Sequence, residues 1–225
     1  MRVVAILPAA GSGKRIASAV PKQFLKFRGK EIIVYSLEVF QKNPKVSGII
    51  IAAAKDYVPL LLKLKAKYGI TKLKAIVEGG KERQDSVFHA LASLRLQSVD
   101  YVAVHDAARP LLPKSVLADA IARAEEKGSA VVSLTGRDTL LRVNPKTFEY
   151  VDRTDMHYVQ TPQIFRYDEL FSVMEKAQAE GRKFSDESSL MHAYGYPVSL
   201  VEGSLLNFKV TTKSDLDVLK KVLPR

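Results

Sequence analysis

The sequence predicts an α/β fold, a mostly parallel sheet covered by helices on both faces. Three observations predict it. Short β-branched runs alternate along the chain with segments that carry helical apolar stripes. The runs are apolar almost throughout, as strands buried on both faces are. One stretch, 135–156, breaks the alternation and carries a hairpin signature instead.

Residues 3–7, 48–53, 74–77, 101–105 and 130–134 read as buried strands. Between them, 59–68 places Leu60, Leu61, Leu64 and Tyr68 on one helical face, with Pro59 suited to a first turn. Residues 83–94 repeat the stripe with Val87, Ala90, Leu91 and Leu94, and 114–127 with Val116, Leu117, Ile121 and Ala124. Two short alternating segments, 139–143 and 148–151, then flank the turn residues Asn144-Pro145-Lys146. A hairpin of this length cannot bury both its faces on its own sheet, which makes a second subunit the economical partner. Residues 167–179 and 186–193 read as helices, and 198–201 and 208–210 as strands. Thr212 to Asp215 caps a last helix carrying Leu216, Leu219 and Leu223. Without a repeat or a linker, the expectation is one domain, 1–225, with an arm at about 135–156.

Composition narrows the function. The 225 residues hold no cysteine, which excludes a disulfide framework and a thiolate nucleophile and fits a reducing compartment. Apolar runs fall far short of a membrane span, and structure begins too early for a leader peptide, so a cytoplasmic chain is expected. The formal charge of +11 attracts polyanions. The bases are scattered among acids with no basic arm, which favours small phosphorylated substrates over nucleic acid.

Ligands of parallel sheets bind beyond the carboxyl ends of the strands. Three such segments matter: 8–22, 79–86 and 106–110. The first, Pro8-Ala9-Ala10-Gly11-Ser12-Gly13-Lys14-Arg15, is rich in residues that let backbone amides approach an anion. It is not a Walker A loop, since Arg15 follows Lys14, nor a dinucleotide fingerprint, since Ile16 fills the third glycine position. With Lys14, Arg15 and Lys22 close together, a triphosphate site outweighs a plain strand-to-helix turn. Arg15 and Lys22 would neutralise charge building on a phosphoryl group. The second segment, through Gly79-Gly80-Lys81 to Ser86, suits base or ribose recognition, and a capped helix start explains its spacing nearly as well. The third puts Asp106 beyond the sheet with Arg109 three residues on. Asp106 would hold a divalent cation or a hydroxyl, or form an internal ion pair with Arg109. His105 reads as a packed strand-end histidine, and the four histidines lack metal-ligand spacing.

Taken together, these motifs resemble the 2-C-methyl-D-erythritol 4-phosphate cytidylyltransferases. The likeness continues in order through Arg137-Asp138-Thr139, Val151-Asp152-Arg153, Gln160 to Gln163, Ser185-Asp186-Glu187, Val201-Glu202-Gly203 and Lys209-Val210-Thr211. The resemblance implies a Rossmann-like nucleotidyltransferase fold of the nucleotide-diphospho-sugar transferase type, and a homodimer clasped by the hairpin arm. It implies CTP as cosubstrate with Mg²⁺ or another divalent cation, held mostly by the phosphates of CTP. It assigns catalysis to Arg15, Lys22, Arg153 and Lys209, and CTP binding to Pro8, Ala9, Ala10, Gly11, Gly13, Gly80, Lys81, Ser86 and Ala107. Asp106, Arg109, Thr139 and Thr161 would meet the methylerythritol phosphate, with Asp106 also a candidate metal ligand. Thr139 and Arg153 lie on the arm and would complete the partner subunit's site. Lys81 stands where some relatives carry an acid, so either its backbone alone reads the base or cytosine selectivity differs. Two alternatives are a ribitol 5-phosphate cytidylyltransferase, which tends to carry His-Asp-Ala-Val-Arg where this chain has Ala108, and a non-catalytic nucleotide- or RNA-binding module.

Overall fold

The computed structural model describes residues 1–11, 20–95 and 97–222. The chain begins with β1 (Val3–Pro8), a short ladder of β2 (Lys26–Phe27) and β3 (Lys30–Glu31), and α1 (Ile32–Lys42). It continues with β4 (Val46–Ala53), α2 (Val58–Lys67), β5 (Leu73–Glu78), α3 (Arg83–Ala92) and β6 (Tyr101–Val104). Next come α4 (Lys114–Lys127), β7 (Ser129–Thr135), β8 (Leu140–Asn144), β9 (Thr147–Val151) and β10 (His157–Arg166). Last are α5 (Tyr167–Ala179), α6 (Glu187–Ala193), β11 (Leu200–Glu202) and α7 (Lys213–Val222).

Among the described residues, seven strands form the main sheet in the order β11-β7-β10-β6-β1-β4-β5. All neighbours run parallel except β10, which is antiparallel to both β6 and β7. Strand alternation sends Val3, Ala5 and Leu7 to one face, against Leu37 and Phe40 of α1, Leu61 of α2 and Ile121 of α4. Val4 and Ile6 face the other way, onto Val87 and Leu91 of α3, Leu170 and Met174 of α5, and Leu190 of α6. Each of the larger of these side chains removed wholly from water contributes about 2 kcal/mol. The result is a rigid three-layer frame whose β1, β5 and β6 all open at the same edge.

Three elements depart from the sequence expectation. Helix α1 carries Ile32-Ile33-Val34 and Val39, whose β-branching masks the helical spacing of the buried Ile33, Val34, Leu37 and Phe40. Strand β10 was hidden by its polar residues Gln160, Thr161 and Gln163, which are buried because the strand is central. The expected strand at 208–210 is irregular chain after a 3₁₀ turn at Leu205–Asn207. Its Val210 amide donates to the Ala108 carbonyl at 2.9 Å, which joins it to the turn after β6 instead of to a ladder.

The hairpin is present as β8 and β9, a separate two-stranded sheet. Its register puts Leu141 opposite Tyr150 and Val143 opposite Phe148, so four apolar side chains share one face. Phe148 and Tyr150 are 67% and 71% exposed, in edge-to-face contact with each other. The opposite face carries the Arg142–Glu149 ion pair.

Candidate active site

A cavity of about 500 Å³ opens at the carboxyl edge of the sheet, a volume suited to a small-molecule ligand. Pro8, Ala9, Ala10 and Gly11, leaving β1, line one side. Buried Gln23 fixes this loop, donating to the carbonyls of Ala9 at 2.6 Å and Gly11 at 2.9 Å. Lys22, beside it in the 3₁₀ turn Lys22–Phe24, lines the cavity too. The sequence reading missed Gln23, although it directly follows Lys22. Arg15 and Gly13, and with them Lys14, lie outside the described residues.

The loop after β5 forms the opposite wall through Gly80, Lys81, Glu82 and Ser86. Gly79 touches the first loop so closely that a Cβ there would collide with Ala10 Cβ. The Ser86 hydroxyl accepts from the Gly80 amide at 3.1 Å and donates to the Glu82 carbonyl, so it holds the loop's shape. Glu82 and Asp85 close a capping box that starts α3.

The floor comes from the turn after β6, where Asp106, Ala107 and Ala108 line the cavity together with Lys209 and Thr211. Ser36 of α1 braces this turn through the Arg109 carbonyl at 3.1 Å. Asp106 is buried and ringed by cations: Lys209 Nζ at 2.8 Å, Arg83 Nε at 3.1 Å and Arg109 Nε at 3.6 Å. Burial alone would raise its pKa, but Arg83, Lys209 and Arg109 together hold it well below the usual carboxylate range. Arg83 also makes a bidentate pair with buried Glu187, at 2.7 and 2.9 Å. Burial lowers the Arg83 pKa, and the two carboxylates more than reverse that.

Thr161 and Arg109 lie beneath the cavity rather than in its lining. Thr161 Oγ1 accepts from the Asp106 amide at 3.1 Å and meets His105 Nδ1 at 3.0 Å. Arg109 donates to the Asn207 carbonyl at 2.6 Å. Both residues contact Asp106. Thr139 and Arg153 are exposed on the arm, away from this cavity.

The donor set does not fit a resident divalent ion. Asp106 already faces three cations, and no group of three His, Cys, Asp or Glu among the described residues could hold a metal. Asp106 here is ion-paired with Arg83, Arg109 and Lys209.

His105 is fully buried, and its burial pushes its pKa down to about 4, against the opposing pull of Asp106. In the unfolded chain it titrates near 6.5. The folded state therefore refuses a proton that the unfolded state takes up, and stability falls as pH drops from about 6.5 to 4. The loss is about 3 kcal/mol across that window, and Asp106 extends it below its ordinary range. Guanidinium midpoints measured from pH 8 to 4 should show this slope, and a His105→Gln variant should lose most of it. An unchanged slope in that variant removes His105 as its source.

A doubly covered, mostly parallel sheet, with a glycine- and alanine-lined loop after its first strand and lysines in the cavity beside it, is the arrangement of a nucleotide-binding α/β protein. A family model for 2-C-methyl-D-erythritol 4-phosphate cytidylyltransferase (IspD) matches residues 3–225, and the chain belongs to that family. The enzyme of this name from Thermotoga neapolitana is 39% identical over 219 residues, covering 97% of this chain and 96% of its own. That of Lysinibacillus sphaericus is 38% identical over 217 residues, covering 96% and 93%. The crystal structure of the Thermus thermophilus enzyme superposes with a TM-score of 0.80 at 30% identity, covering 97% of this chain and 96% of that one. The 4-diphosphocytidyl-2C-methyl-D-erythritol synthase of Anaerococcus prevotii has the same fold, with a TM-score of 0.86 at 24% identity over 99% and 96%.

Proposed function

We propose that the chain transfers a cytidylyl group from CTP to 2-C-methyl-D-erythritol 4-phosphate in non-mevalonate isoprenoid precursor synthesis. The products are 4-diphosphocytidyl-2-C-methyl-D-erythritol and pyrophosphate. The observation that carries this reading is the cavity itself, with a close-packed loop wall at Gly79–Gly80 and the lysines Lys22 and Lys209 in its lining.

In the reaction, a phosphate oxygen of the sugar alcohol bonds to the α-phosphorus of CTP, and the bond to the pyrophosphate oxygen breaks. The attacking phosphate is already anionic, so no general base is required. The difficulty is repulsion between two anions, which cations and alignment overcome. Lys22, and Arg15 outside the described residues, would neutralise the α-phosphoryl group as its bonds change. The backbone at Ala9 to Gly11 would cradle the triphosphate, and the wall at Gly80, Lys81 and Ser86 would read cytosine by its backbone edge. Lys209 would meet the incoming sugar phosphate while Asp106 keeps its ammonium in place. A divalent cation such as Mg²⁺ would be brought by the nucleotide and would offset the charge of its phosphates.

The apolar face of the hairpin supports a homodimer in which each arm packs on the other copy. Four aligned apolar side chains on one face of the hairpin are exposed to solvent. Thr139 and Arg153 would then reach the partner's cavity and position the sugar phosphate. In this reading, residues 1–225 form one catalytic domain with its arm. No helix among the described residues is long and apolar enough to cross a membrane. We place the enzyme in the cytoplasm, on a cysteine-free composition.

Turnover of CTP with methylerythritol phosphate and with ribitol 5-phosphate tests the function, and preference for ribitol phosphate overturns the substrate. Arg153→Ala should raise KM for the sugar phosphate about 10-fold or more, as loss of a charge-assisted contact does. Mixing it with an inactive Lys22 variant should restore activity, because one site of the heterodimer keeps both residues. No rescue on mixing argues against shared sites.

A further inference from the structure

Lys209 sits on irregular chain, with no helix or ladder to hold it. Its 2.8 Å approach to Asp106 is nonetheless close enough to need sub-ångström placement. The chain around it is tied at both ends. On one side Asn207 is fully buried and donates from Nδ2 to the Thr161 carbonyl at 2.7 Å and to Gln160 Oε1 at 3.1 Å. The Asn207 carbonyl accepts from Arg109, so one residue joins β10, the Asp106 turn and the Lys209 segment.

On the other side stands Asp215, in the first turn of α7. One of its oxygens, Oδ2, accepts from the Thr211 amide at 2.7 Å, the Thr211 hydroxyl at 2.8 Å and the Thr212 amide at 2.7 Å. The Asp215 amide in turn donates to the Thr212 hydroxyl, completing a reciprocal cap. Helix α7 is itself anchored by Leu219, buried with Val210 and Ile32. Midway, the Val210 amide is bonded to Ala108.

We propose that Asn207 and Asp215 are positioning residues that hold the segment between them as a strap, setting Lys209 against the substrate phosphate. Neither Asn207 nor Asp215 lines the cavity. Both act through Lys209, and the inference rests on the cytidylyltransferase reading for its activity readout. The uncommon feature is that a catalytic cation is aimed by two hydrogen-bonding side chains instead of by secondary structure.

The test is a mutant cycle in the full-length protein. Asn207→Ala and Asp215→Ala should each lower kcat/KM for methylerythritol phosphate about 10-fold or more, since displacement of about an ångström costs this much. In a Lys209→Ala background the same changes should cost less than about 2-fold, because the group they aim is gone. Asp215→Asn keeps an acceptor and should recover most of the activity. If Asn207→Ala does not fold, the Asp215 pair carries the test alone. Losses that multiply in the Lys209→Ala background, or near-normal activity of folded single variants, overturn the proposal. Amide exchange supplies a reading independent of turnover: either alanine variant should speed exchange at Val210 and Thr211, and unchanged protection there overturns the strap. Inactivity of the wild-type protein would count against the cytidylyltransferase reading and leave this exchange result to decide the strap.

Discussion

Lys22→Ala is expected to cut turnover of CTP by about 10²–10³-fold while leaving thermal unfolding nearly unchanged. The magnitude is that of removing one preorganised charge from a developing anionic centre. Lys22 lies in a short turn at the mouth of the cavity and is only half-buried, so its ammonium carries little of the packing. Gln23, next to it, carries the structural bonds to the β1 loop. The loss should fall on kcat more than on the affinity for CTP, because the charge on the α-phosphoryl group grows toward the transition state. Steady-state kinetics and calorimetric CTP binding separate the two. A near-normal kcat would mean that the reaction centre lies elsewhere in the cavity.

Asp106→Ala should damage both stability and rate. The carboxylate offsets Arg83, Arg109 and Lys209, and Arg109 and Arg83 are largely buried. Removing it leaves those cations facing one another in a desolvated corner, a change that costs about 3–5 kcal/mol in comparable buried pairs. For a chain of this length that corresponds to a fall in thermal midpoint of about 6–20 °C. Turnover of the surviving folded protein should fall about 100-fold, since Lys209 loses the partner that orients it. Asp106→Asn, which keeps the shape but not the charge, should show an intermediate midpoint. An Asp106→Ala protein that melts with the wild type would show that solvent satisfies the three cations, and the cluster would lose its structural role.

The ion-pair cluster also explains why the cavity is basic without being disordered by its own charge. Glu187 and Asp106 neutralise Arg83 from two sides, and Lys22, Lys81 and Lys209 line the same cavity. Two anions meeting in that cavity would then find positive charge where they approach. Less repulsion remains in the walls themselves.

Much of the frame was legible in the residues alone. The five apolar runs became β1, β4, β5, β6 and β7, and the striped segments became α2, α3 and α4, because strand and helix periodicities are local. The hairpin was legible for the same reason, as were the loops leaving β1, β5 and β6. Helix α1 was not, since β-branched residues in its first turn carry a strand preference that only packing against β4 overrides. Strand β10 was not, since glutamine and threonine read as loop until a neighbour on each side satisfies them.

What the sequence by itself determined is therefore the order of the elements and the chemistry at their ends: glycine, alanine and lysine after β1, paired glycines after β5, aspartate after β6. Only the tertiary structure decided which distant residues close on Asp106. Arg83 and Glu187 are 104 positions apart and Arg109 and Asn207 are 98 apart. Pairs at such separations have no periodic signature, because their meeting depends on how strands and helices stack and not on any local conformational preference. The reversal of β10 and the course of the 207–211 segment are set by that stacking, and they bring Thr161, Asn207 and Lys209 to one corner.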